Sequence, residues 1–179
     1  GGAPAVWTTC MLFYQVALLL GYAYAHLLSS RLRPRAQARL HLALLLLAGA
    51  AMLVLQVRWG SPVLPDNAWK PTGLEAPVPL ILLLLLLSIG LPYALLSATS
   101  PLLQRWFSLA GHGDRTYRLY AVSNVGSLLG LLSYPLVTER FLSLPVQANV
   151  WALTFIVFAV CCAACAIQLQ KQPLPQTVP

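Results

Sequence analysis

The stretch 79–107, "PLILLLLLLSIGLPYALLSATSPLLQRWF", decides the class of fold. A hydrocarbon core about 30 Å thick takes about 20 apolar residues of helix to cross, and this run supplies them before its first charge at Arg105. Backbone amides in lipid must bond within their own segment, so the run is a helix. It is longer than one straight crossing requires, and Pro92 and Pro101 lie inside it. The sequence therefore predicts a kinked or tilted helix that continues into an interfacial segment.

The rest of the chain agrees with that reading. Of its 179 residues 59% are hydrophobic and 8% charged, where a soluble domain carries about a quarter charged. Four further apolar runs give spans at 5–28, 39–57, 117–137 and 147–169, which with 79–107 make an all-α, polytopic membrane helix bundle of about five transmembrane helices. Residues 1–170 form one transmembrane domain, followed by a flexible or partner-bound tail at 171–179.

The charges set an expected orientation. With the first connection in the cytoplasm, that side holds Arg31, Arg33, Arg35, Arg39, Arg105, Arg115, Arg118 and Lys171, and the other side only Arg58, Lys70 and Arg140. The acids run the opposite way: Asp66, Glu75 and Glu139 fall outside and Asp114 inside. Positive charge on the inner side predicts an N-terminus outside and a C-terminus inside. The net charge of +7 then reflects topology and contact with anionic membrane lipid, and nucleic acid is not an expected partner.

Between the spans, "SSRLRPRAQAR" is a short basic turn. "RWGSPVLPDNAWKPTGLEAPVP", rich in proline and carrying Trp59 and Trp69, suits an ordered interfacial flap. In "SLAGHGDRTYR", Gly111 and Gly113 allow a tight turn, and His112 beside Asp114 reads as a turn residue. The opening "GGAPAVW" has no basic leader, so the first span is not a signal peptide, and its entry from the outer side fits another crossing before it.

The fourth span carries the candidate packing site. "SNVGSLLGLLSYP", 123–135, places Ser123, Asn124, Gly126, Ser127, Gly130 and Ser133 where a lipid-facing helix favours leucine. Helices in lipid gain little from excluding one another hydrophobically, so they associate by close van der Waals contact at small residues and by polar bonds. Gly126 and Gly130 form a GxxxG pair, the serines widen the small surface, and Asn124 can bond across to a neighbour. The sequence favours packing within the chain's own bundle over packing between chains. Tyr14, Tyr22 and Tyr24 offer an aromatic face on the first span.

Three strings, "GGAPAVWTTCMLFYQVALLLGYAYAHL", "LPYALLSATSPLLQRWF" and "YRLYAVSNVGSLLGLLSYPLVTE", together resemble the integral-membrane part of bacterial spermidine-synthase-like proteins, fused transporter-like and synthase chains. The resemblance runs from Gly1 to about Glu139. It departs in lacking the family's preceding hydrophobic helix and in having Arg140 where proline often follows the glutamate. The fused members carry a cytoplasmic aminopropyltransferase domain, yet no G-x-G-x-x-G follows a strand here. The resemblance thus implies a membrane half without the catalytic domain, acting with a separate soluble synthase-like chain or as a structural subunit.

Other residues carry weaker expectations. His26 and His41 stand at the ends of adjacent spans, where a haem or chlorin would need them; interfacial histidines more often bond to backbone or headgroups. Cys161, Cys162 and Cys165 offer too few ligands for a tetrahedral metal and read as small packing residues, and Cys10 stands alone. The third span supplies Ser88, Gly90, Pro92, Tyr93, Ser97, Thr99 and Ser100 at depths where carriers bind substrates. A polyamine site would draw on Glu139, Tyr93 and Gln15, but a polycation calls for more carboxylate than one. No catalytic residues, metal or cofactor are expected.

The leading reading is a non-catalytic membrane subunit that packs on helices of a larger complex. A polyamine-linked transport or sensing module comes second, and a cofactor-bearing electron-transfer or pigment subunit third.

Overall fold

The computed structural model describes residues 4–66, 69 and 77–171. Gly1, Lys70, Glu75 and the tail at 172–179 lie outside the described residues, as does the side chain of His112. Every regular element is helical: α1 (Pro4–Arg31), α2 (Pro34–Trp59), α3 (Pro77–Leu85), α4 (Leu91–Phe107), α5 (Thr116–Ser133), α6 (Glu139–Phe141) and α7 (Leu144–Lys171). A wide π-turn, Leu86–Gly90, joins α3 to α4, and another, Tyr134–Thr138, joins α5 to α6. Among the described residues five helices are long and apolar enough to cross a membrane, so the chain is an all-α, multi-pass membrane protein.

Local chemistry accounts for the breaks. Pro34 opens α2 at a position where its missing N–H costs nothing, and Arg33 before it is extended (φ −66°, ψ 147°). The Arg33 carbonyl accepts the first N–H groups of the new helix, from Ala36 and Gln37. α2 ends on Gly60, whose φ of 69° is the left-handed cap that glycine adopts freely. The π-turn at Leu86–Gly90 sits just before Pro92, whose ring would crowd the preceding turn of a regular helix. Of the two glycines in the turn after α4, only Gly111 has positive φ, at 86°; Gly113 is ordinary helical backbone.

The interior mixes small and polar residues with a few large apolar side chains, while most leucines face outward. Ala17, Ala25, Ala38, Ala48, Ala98 and Ala166 are buried, together with Gln37, His41 and Thr99. Leu19, Leu20, Leu46, Leu53, Leu86 and Val57 are exposed. A soluble protein could not carry so much exposed apolar surface, whereas lipid solvates it. α1 packs along α4 and α3, and α2 along α7 and α4. One buried cluster (Ala25, Leu28, Ala38, Leu102, Trp106, Leu169) closes the end where the arginine-rich turn lies. A second, around Leu45, Met52, Leu95, Phe155 and Cys162, fills the other half.

α5 does not join this core. No residue between Thr116 and Ser133 is buried, and the helix meets α4 beside their shared turn. At the opposite end, Trp59 and Trp69 meet edge to face at 6.1 Å and Pro62 is buried, so the described part of the proline-rich segment folds back on the bundle.

Candidate functional site

The closest helix crossing lies between α1 and α4. A Cβ added at Gly21 would stand 2.6 Å from the Ala94 carbonyl oxygen and 2.8 Å from the Ser97 Cβ, so only glycine permits this approach. Gly21 is flanked one turn on either side by buried Ala17 and Ala25. This small-xxx-small stripe has the spacing of Gly126 and Gly130, and that spacing is the signal that finds it in sequence.

Beside this crossing, a buried polar cluster ties three helices together. His41 Nε2 and Thr99 Oγ1 are 2.8 Å apart, and the Thr99 hydroxyl donates to the Leu95 carbonyl at 2.7 Å. Because the threonine's single proton goes to that carbonyl, its oxygen must accept from His41, which places the imidazole proton on Nε2. Nδ1 is then an acceptor, and the Tyr24 hydroxyl donates to it over a long 3.4 Å. A turn away, Trp106 Nε1 donates to Gln37 Oε1 at 2.9 Å, and Gln37 Nε2 donates to the Leu32 carbonyl at 2.8 Å. Every polar atom of this group serves helix-to-helix bonding or caps a chain end. The cluster is a clasp between α1, α2 and α4, in which His41 is 0% exposed.

The seam on α5 stands apart. Ser123, Asn124, Gly126, Ser127, Gly130 and Ser133 are all exposed. A Cβ at Gly126 or Gly130 would meet nothing within 4 Å. The expectation that this seam packs within the chain's own bundle is therefore corrected: the glycine contact inside the bundle is made by Gly21. Ser127 and Ser133 return their hydroxyls to the carbonyls of Ser123 and Gly130. The Asn124 side chain makes no hydrogen bond among the described residues.

The remaining candidates do not converge. Gln15 and Glu139 are exposed, while Tyr93 packs edge to face on Tyr14 at 5.0 Å, so no pocket gathers the three. Arg140 lies 5.8 Å over the Phe141 ring. Ser88, Ser97 and Thr99 donate to carbonyls one turn back on their own helix, which leaves them no free proton for a substrate. Tyr22 and Tyr24 sit about 200° apart around a helix, so Tyr22 faces outward, Tyr24 faces inward, and the expected single aromatic face does not form. His26 is exposed while both ring nitrogens of His41 are engaged, so the two histidines do not present a shared ligand position. In the cysteine cluster Cys162 packs in the core and Cys161 and Cys165 are exposed. No group of three or more metal-binding side chains comes together among the described residues.

Two buried side-chain atoms have no bonding partner among the described residues, Arg105 Nε and Thr116 Oγ1. Both belong to the basic end of the bundle, on either side of the α4–α5 turn. Compared with protein families, curated proteins and solved structures, the chain finds no match.

Proposed function

We propose that the chain is a non-catalytic integral membrane subunit, and that α5 is the helix by which it joins a larger membrane complex. The observation that carries this reading is Asn124, an exposed amide without a bond on a helix of membrane-spanning length. An unbonded amide in hydrocarbon costs a few kcal/mol. A neighbouring transmembrane helix offsets that cost, and on the far side of α5, about 200° around from Asn124, the open space over Gly126 and Gly130 lets a helix backbone approach closely.

The resemblance to the membrane half of spermidine-synthase-like proteins fits such a role, with a separate soluble synthase-like chain among the partners it suggests. That resemblance, being to bacterial proteins, suggests a bacterial inner membrane, and the distribution of basic residues supports an N-terminus outside and a C-terminus inside. The test is the double variant Gly126→Ile, Gly130→Ile, purified gently from native membrane. A Cβ at either position meets nothing within 4 Å among the described residues, so the fold should be retained, as an unchanged thermal melt will verify. The variant is expected to elute alone where the wild type elutes with its partners; an intact complex overturns the proposal.

A further inference from the structure

At the basic end of the bundle an apolar groove of about 230 Å³ opens between α4, α5 and α7. Leu103, Trp106 and Phe107 form one wall, Leu119 a second, and Cys165 and Leu169 a third. Two cations stand near it in the chain: Arg115 immediately precedes α5, four residues before Leu119, and Lys171 ends α7, three residues after the groove-lining Gln168. Both are exposed, and Asp114 is the single acid on this side of the membrane.

We propose that this groove is a binding site for an anionic glycerophospholipid. One acyl chain lies in the groove against Trp106 and Leu119. The phosphate headgroup meets Arg115 and Lys171. The apolar length with a cationic rim is what selects a lipid: free phosphate lacks the chain, and a zwitterionic headgroup gains little from two cations. This site is independent of the Asn124 seam, which lies further along α5.

The test uses the full chain with Trp106 as its only tryptophan, the other four replaced by phenylalanine and the fold checked by circular dichroism. Reconstituted with brominated-chain phosphatidylglycerol or phosphatidylcholine, Trp106 reports lipid in the groove by quenching. Quenching by the anionic lipid is expected at roughly ten-fold lower mole fraction than by the zwitterionic one, the order given by two basic side chains at a headgroup. The change Arg115→Gln with Lys171→Gln should remove that preference, and inorganic phosphate should not compete. Equal quenching by both lipids, a preference that survives the double change, or no quenching by either because a protein helix fills the groove, each overturns the proposal.

Discussion

At the scale of single residues, two kinds of glycine must be told apart. Gly21 is held against Ala94 and Ser97 with no room for a methyl group, while Gly126 and Gly130 face open space. Gly21→Val should therefore destabilise the isolated chain by about 1–3 kcal/mol, the usual cost of overpacking. Gly126→Ile should leave its stability unchanged or slightly raised, since isoleucine is the better helix former. Unfolding in mixed micelles checks both, and equal losses at the two sites would contradict the assignment of Gly21 to the core and Gly126 to the outer face. The clasp makes a second residue-scale prediction. Thr99→Val removes the acceptor of the His41 Nε2–H bond and should cost about 0.6–2 kcal/mol. Thr99→Ser keeps the oxygen and should restore most of it; a valine variant as stable as wild type would remove the clasp from the account.

At the scale of elements, the helices were legible because hydropathy is a property of long runs, and in 79–107 or 147–169 nothing competes with it. Their ends were less so. α2 begins at Pro34, before the apolar run at 39, because helix hydrogen bonding continues past Arg35 and Arg39 into the polar interface. The π-turn before Pro92 was readable only as a kink of unstated form. Which glycine the α4–α5 turn needs was not readable either, since Gly111 and Gly113 are equivalent in sequence and only the backbone shows Gly111 at φ 86°. From that follows an element-scale prediction: Gly111→Ala should cost about 1 kcal/mol for a left-handed alanine, and Gly113→Ala less. A thermal melt of each variant decides it, and equal effects would contradict the turn described.

At the scale of the whole molecule, the chain divides into a packed core of α1, α2, α3–α4 and α7 and an arm, α5, that touches the core at its base. The seam on that arm was legible as a motif, because Gly126, Gly130 and the serines share one face. What covers it was not, since a small-residue face states how closely a neighbour can come and nothing about which neighbour. The clasp was missed for a related reason: Gln37 and His41 lie on α2 and Thr99 and Trp106 on α4, far apart in sequence, and their meeting depends on how the two helices rotate. His41 and Thr99 were noticed singly, each for a role that its actual bonds preclude.

The most direct measurement of the central claim, that α5 is made to lie against a helix of another chain, is site-specific photo-crosslinking in native membranes. A probe at position 126, on the small face, is compared with one at Val125, which is 57% exposed and about 100° around the helix from both Gly126 and Asn124. The account predicts one discrete adduct with a second polypeptide from position 126 and only lipid adducts from position 125. An internal crosslink from 126 to the chain's own helices, or lipid adducts from both positions, would contradict it.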